Sequence, residues 1–280
     1  MTQQQTIIFD GQKAAQKILE EIKSKVSSKD KKPGLAAILI GDDRPSHIYV
    51  KNKEKACQFC DITFHKYFLE ENTPQKELLC CIEFLNKDPD IDAIIVQLPL
   101  PKQFDVEKVI SSIDPKKDVD GFHPQTIKDI MAGKPGINSA LVQAIREILK
   151  QTEQDLNGKK MILVSNCDIF YNTFVKELED LMLDIEVIFS DNKKLEQKTK
   201  SAEILVSAVG KAKFITRSMV KKDAIVIDVG TSLVGKKFVG DVNFEEVKKI
   251  ASFITPVPGG VGPMTVAMLL KNVYELSQNN

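Results

Sequence analysis

The run Leu35 to Ile40, LAAILI, is apolar at every position and is bounded by Pro33-Gly34 before it and Gly41 after it. It is far shorter than the roughly 20 residues a membrane span needs. An uninterrupted apolar run of strand length between breakers is the pattern of a strand buried on both faces, as parallel strands are. A parallel strand commits the flanking chain to crossover helices, and the flanking chain complies. A short strand reads from Ile7 to Asp10, and the stretch from Gly11 to Val26 is an amphipathic helix with Ala14, Ile18, Ile22 and Val26 at i, i+4 spacing. Beyond Gly41 a helix runs to about Cys60. Ile62 to Phe68 alternates like a strand, Thr73 to Leu85 is helical, and Asp92 to Val96 is a further apolar strand stopped by Pro99 and Pro101. Strand and helix alternate throughout, which predicts an α/β fold with a parallel sheet.

After Asp120-Gly121-Phe122-His123 the pattern is loose as far as Gly136. A helix from Ser139 to Lys150 then opens a second α/β run, with strands at Met161 to Val164, Ile185 to Phe189, Ile204 to Ala208 and Ala224 to Val229. The last helix, from about Gly262 to Leu276, carries Val266, Leu269, Leu270 and Val273 on one face.

A chain of 280 residues suits one large or two modest domains. The 39 basic residues balance 39 acidic ones, so no global field points to nucleic acid or to a membrane surface. Only Arg44, Arg146 and Arg217 are arginine, which makes bidentate phosphate recognition rare in this chain. The first residues lack a basic segment followed by an apolar one, and five cysteines without an export signal read as reduced thiols in a cytoplasm. Cys57-x-x-Cys60 is followed by an adjacent pair, Cys80-Cys81, rather than a spaced one, and both pairs fall in helical segments. They read as small buried hydrophobes, with no metal site.

The chemistry is expected in Gly41 to Cys57, GDDRPSHIYVKNKEKAC. Ser46, Tyr49 and Lys53 stand at i, i+3 and i+7 after a turn-forming cluster. A helix capped by Ser46 puts Tyr49 and Lys53 one turn apart on one face. Burial and the positive end of the helix dipole both favour a neutral lysine, which can act as a base or proton shuttle. The competing reading of the same spacing is a solvated lysine-rich helix whose tyrosine only packs. Gly41 and Gln97 both lie just past strand ends, where ligands bind in parallel sheets. None of His47, His65 and His123 has a catalytic setting.

This segment is joined by Val96-Gln97-Leu98-Pro99-Leu100-Pro101, Asp118-Val119-Asp120-Gly121 and Pro256-Val257-Pro258-Gly259-Gly260-Val261-Gly262-Pro263-Met264-Thr265. On those four blocks, in that order and spacing, the chain resembles the methylenetetrahydrofolate dehydrogenase/cyclohydrolase family over nearly its whole length. The resemblance implies an N-terminal α/β catalytic domain over 1–136 and a Rossmann-like nucleotide-binding domain over 137–261. A C-terminal helix over 262–280 would return to the first domain, with the site in a cleft between the two. It implies catalytic roles for Lys53, Tyr49, Gln97 and Asp120, with Asp120 anchoring the pterin and Asp118 left to an Asx turn. Ser46, Tyr49, Gln97, Asp120, Gly259, Gly262, Pro263 and Thr265 would bind the folate substrate. Ala208, Gly210 and Gly230 would hold NADP or NAD if a nucleotide binds. A homodimer paired through the nucleotide domain is also implied.

The sequence departs from the family in two places. The family's Gly-Arg-Ser, Val-Gly and Pro signature is replaced by Val164-Ser165-Asn166-Cys167-Asp168-Ile169-Phe170-Tyr171-Asn172-Thr173, where bulky side chains crowd a phosphate. Its Pro-Cys-Thr-Pro becomes Lys134-Pro135-Gly136-Ile137-Asn138-Ser139. The resulting expectation is a methenyltetrahydrofolate cyclohydrolase whose dehydrogenase is weakened or lost. A fully bifunctional enzyme and a non-catalytic folate-binding paralogue are the alternatives. A short-chain dehydrogenase shares the Tyr49-x-x-x-Lys53 pair, but needs a Gly-rich loop after the first strand and the pair far downstream; neither holds.

Overall fold

The computed structural model describes residues 6–166 and 171–278. Cys167 to Phe170, on which much of the altered nucleotide loop rests, lie outside the described residues. The elements begin with β1 (Ile7–Ile8), α1 (Gly11–Ser27), β2 (Gly34–Ile40), α2 (Arg44–Cys60), β3 (Thr63–Leu69), α3 (Gln75–Lys87) and β4 (Ala93–Val96). Next come α4 (Val106–Ser111), α5 (Pro124–Met131), α6 (Ala140–Lys150), β5 (Lys160–Ser165), α7 (Tyr171–Glu177), β6 (Asp184–Ile188), α8 (Leu195–Thr199) and β7 (Ile204–Ala208). The chain closes with β8 (Ile225–Asp228), β9 (Ser232–Val234), β10 (Lys237–Val239), α9 (Phe244–Val247), β11 (Phe253–Ile254) and α10 (Val261–Leu276).

Two compact units result, one of Ala15–Ala140 with Val266–Asn280 and the other of Met1–Ala14 with Leu141–Thr265. In the first, β2 lies between β3 and β4, both parallel to it. All of β2 is buried, as its apolar run demands. Ile38, Ile40, Leu78, Ile82, Leu85, Ile94 and Val96 form a core between this sheet and α3. Each such side chain contributes about 1.5–3 kcal/mol on burial. A parallel bridge from Ile94 to Asp118 extends the sheet beyond β4. The strand order puts the topological switch point between β2 and β4, the place where parallel sheets bind ligands.

The second unit has a six-stranded parallel sheet, ordered β1-β11-β8-β7-β5-β6. Its switch point falls between β5 and β7, whose last residues, Ser165 and Ala208, are paired. The first strand belongs here and not with the catalytic segment that follows it: Ile7 and Phe9 donate N–H bonds to Ser252 and Ile254, and Phe9 packs on Phe253. The stretch read as loose after His123 contains α5. Pro124 opens it, its missing N–H being one a first helical turn does not need, and His123 Nδ1 accepts from Gln125 N.

Two buried carboxylates organise the loops after β7 and β8. Asp241 accepts from Ser207 Oγ at 2.9 Å and from the N–H groups of Val209, Gly210 and Lys211. Asp228 accepts from the N–H groups of Asp241 and Val242. Gly230 and Gly240 must be glycine, since a Cβ on either would stand 2.0 Å from an Asp241 or Asp228 carboxyl atom. Burial pushes Asp228 up to about 7, against its backbone donors and with the help of Asp241. Asp241→Ala strands the buried Ser207 hydroxyl at about 1–3 kcal/mol and frees three part-buried N–H groups, so a fall in calorimetric Tm of at least about 2 °C is expected, about 1 kcal/mol per 2–4 °C at this size.

Candidate active site

The loop after β2 turns at Gly41 and α2 begins at Arg44. Its cap is Asp43, not Ser46: the Asp43 carboxylate accepts from Ser46 N at 2.9 Å and Ser46 Oγ at 2.7 Å. Pro45 fits the first turn, so the helix starts two residues before the serine and encloses it. Ser46 is 2% exposed, and its hydroxyl donates to Asp43.

Tyr49 and Lys53 follow on one helical face. Tyr49 is half-buried, whereas Lys53 is only 9% exposed, which discards the solvated-face reading for the lysine. Lys53 Nζ donates to Gln97 Oε1 at 2.8 Å. Gln97 Nε2 donates to Leu98 O at 2.6 Å, so the local backbone bond orients the amide with its oxygen towards the lysine. Gln97 N donates to Ile38 O, fixing the residue to the end of β2. Desolvation lowers the Lys53 pKa, while Asp120 and Cys57 oppose the fall.

Asp120 is the third member of this group. Removal from water pushes its carboxyl up to about 6, the Lys53 charge opposes the rise and Asp118 adds to it. Asp118 closes the expected Asx-type turn, accepting from the N–H groups of Gly121, Phe122 and His123. The two carboxylates therefore differ: Asp118 holds the loop, and the Asp120 charge acts on Lys53. Burial raises the Cys57 and Cys60 thiols, leaving them protonated and unreactive near neutral pH. His47 Nε2 bonds Gly41 O and His123 caps α5, so both imidazoles have structural partners.

Of the remaining site residues, Gly259 has a φ of +104°, and Gly262, Pro263 and Thr265 form the first turn of α10. These four belong to the second unit, and Thr265 Oγ1 donates to Val261 O within the helix. Ala208 ends β7 at the second switch point. The Gly210 N–H donates to Asp241, so that residue offers a ligand close backbone approach more than a free donor. Lys211 Nζ stands 3.5 Å from Ser190 Oγ, and Ser190 N donates to Asn166 Oδ1. Sequence reasoning missed Asp43, Lys117, Asp241 and Asn272. Lys117 is buried, its ammonium donating to Leu85 O and Asp88 O at the C-terminal end of α3. The available signals were slight: an aspartate directly before an Arg-Pro helix start, a lysine between Asp114 and Asp118, and one amide among the apolar residues of α10.

Comparison with known proteins gives two family matches: the tetrahydrofolate dehydrogenase/cyclohydrolase catalytic domain over residues 9–120 and the NAD(P)-binding domain of the same family over 139–280. A bifunctional protein FolD of Acetivibrio thermocellus is 43% identical over 275 residues, which are 97% of this chain and 96% of that one. The crystal structure of the bifunctional enzyme FolD, methylenetetrahydrofolate dehydrogenase/cyclohydrolase, from Campylobacter jejuni superposes with a TM-score of 0.91. It is 40% identical, and the match covers 98% of this chain and 99% of that one. The Trypanosoma brucei dehydrogenase-cyclohydrolase, solved with NADP and an inhibitor, gives 0.93 at 31% identity over 98% of each chain.

The raised carboxyl has a thermodynamic consequence. A folded Asp120 that holds its proton up to about 6, against about 3.9 when unfolded, stabilises the fold below pH 4 and loses that contribution as pH rises through 6. Asp120→Asn, which cannot ionise, is expected to melt at higher temperature than the parent at pH 8. The difference should shrink towards pH 4 in a series of thermal scans; a constant difference would place the titration elsewhere.

Proposed function

Because the chain belongs to the tetrahydrofolate dehydrogenase/cyclohydrolase family, we propose that it interconverts one-carbon units on tetrahydrofolate through both of the family's reactions. These are NAD(P)-dependent oxidation of 5,10-methylenetetrahydrofolate and hydrolysis of 5,10-methenyltetrahydrofolate to 10-formyltetrahydrofolate. The observation that carries the hydrolytic step is the buried Lys53 amine on the Gln97 carboxamide oxygen beside Asp120. The methenyl carbon is already cationic, so the protein has to place a water, take its proton and return one to the leaving nitrogen. A lysine whose pKa is lowered by desolvation gives up its proton more readily than an exposed one. Gln97 holds it through a neutral acceptor, which does not lift that pKa as a carboxylate does. Asp120, ionised above about 6, accepts from the N–H groups of the amino-pyrimidinone ring. Tyr49 orients the substrate. Ser46 completes the folate contacts of the first unit in this reading.

The dehydrogenase is supported by relatives above 40% identity, named bifunctional and matched over nearly their full length. They favour the bifunctional reading over the hydrolase alone. The second unit's residues fit a nucleotide in part: the switch point at Ser165 and Ala208 is where parallel sheets bind one. Lys211 beside Ser190 supplies a cation and a hydroxyl there, and Ala208, Gly210 and Gly230 allow close approach. NAD(P)+, when bound, accepts the hydride. The cyclohydrolase-only reading keeps one observation in its favour, a run from Ser165 to Thr173 without glycine.

The second copy of a homodimer is proposed to pair through the edge strand β6, flanked by the exposed Met182 and Phe189. Among the described residues no helix is long and apolar enough to cross a membrane. Light scattering is expected to give twice the 31.3 kDa chain mass, and Phe189→Glu to return it to one chain; a parent already at one chain would end the proposal.

The activity test follows 5,10-methenyltetrahydrofolate absorbance without nucleotide, then methylenetetrahydrofolate oxidation with NADP and with NAD. Lys53→Met should lower hydrolysis by about 10²–10⁴-fold, the range of general base catalysis. Hydrolysis without oxidation would select the cyclohydrolase-only reading, and neither activity in a folded protein would leave a folate-binding paralogue.

A further inference from the structure

Asn272 is fully buried in the interior of α10, among Leu269, Val273 and Leu276. Asparagine is a poor helix-interior residue, and a buried amide is costly unless its donors are satisfied. Its Nδ2 donates to two carbonyls, Val119 O and Asn138 O, both at 2.9 Å. These belong to two non-helical segments 19 residues apart in sequence. They also touch directly: a Cβ on Gly121 would stand 3.1 Å from Ser139 N. Asn272 therefore staples the peptide before Asp120 to the segment that leads into α6.

The opposite side of the same short loop is held by other means. Asp118 bridges to Ile94 of β4 and gathers the N–H groups of Gly121, Phe122 and His123. Lys117 fastens the preceding residue to the end of α3. Between these anchors only Val119 and Asp120 remain to be placed, and the bond to Val119 O comes from Asn272. We propose that Asn272 is a positioning residue for the folate site: its carboxamide fixes the peptide that carries Asp120 and so sets how that carboxylate meets the pterin ring. The proposal rests on the reading of Asp120 as the pterin-binding carboxylate. The ionisable groups acting on Asp120 are Lys53 from α2 and Asp118 from its own loop, and neither is altered by changing Asn272.

The test uses Asn272→Leu, which keeps the volume and removes both donors, and Asn272→Ser, which keeps a shorter donor. The full-length protein is labelled with ¹³C at aspartate Cγ, and the Asp120 resonance, assigned by its loss in Asp120→Asn, is titrated without ligand. Loosening the loop admits water to Asp120, so the midpoint should fall from near 6 towards the ordinary carboxylate value of about 3.9, further in the leucine variant than in the serine one. In the activity assay the KM for 5,10-methenyltetrahydrofolate should rise roughly tenfold with kcat held within about threefold, the mark of lost uniform binding. An unchanged midpoint and KM in either folded variant overturns the proposal. The ligand-free titration decides the positioning role even if the parent shows no hydrolysis, an outcome that would remove the folate reading alone.

Discussion

One hydrogen bond, from Lys53 Nζ to Gln97 Oε1, sets the terms for the catalytic unit. A buried ammonium without a partner is prohibitively costly, and one paired with a carboxylate stays charged and useless as a base. A neutral carboxamide oxygen is the compromise, accepting from either form of the amine. It works only if the amide cannot turn its NH2 towards the lysine, which the bond to Leu98 O prevents. It also requires the helix carrying Lys53 and the strand end carrying Gln97 to meet in fixed register. The parallel pairing of β2 with β4, from Leu35↔Ala93 to Ile38↔Val96, supplies that register, and the Asp43 cap starts α2 at the right residue.

Much of this was legible in the chain. The apolar run 35–40 announced a buried parallel strand, and the residues after strands implied ligand positions, because a parallel sheet leaves its chemistry to the loops at its carboxyl ends. The turn at Asp118 could be read from the glycine that follows, whereas a ligand role for Asp120 was implied only by the family resemblance. What escaped was decided by long-range contact. Ser46 looks like a cap because serine is a good one; Asp43 takes the position because Pro45 fits the first turn. The first strand looks like the start of the catalytic domain, yet its two N–H bonds go to chain some 240 residues away, which no local pattern encodes. The helix after Pro124 is only eight residues long, and its local signs, Ile127, Ile130 and Met131 at i, i+3 and i+4 and a His-Pro start, went unread.

The two units meet a common problem in the same way. Where a loop leaves a parallel pairing, after the Asp118 bridge to Ile94 in one unit and after β7 in the other, a buried aspartate collects its backbone N–H groups. Asp118 takes three in the first unit; Asp241 takes three and a serine hydroxyl in the second. A carboxylate suits this task because it accepts from several donors at once and strengthens each bond by its charge. The loops after β7 and β8 are therefore shaped by Asp241 and Asp228, at positions outside the run from Ser165 to Thr173. Substitution within that run leaves those anchors in place. The fold and its other switch-point loops can stay close to those of the relatives while this one loop carries a different set of residues.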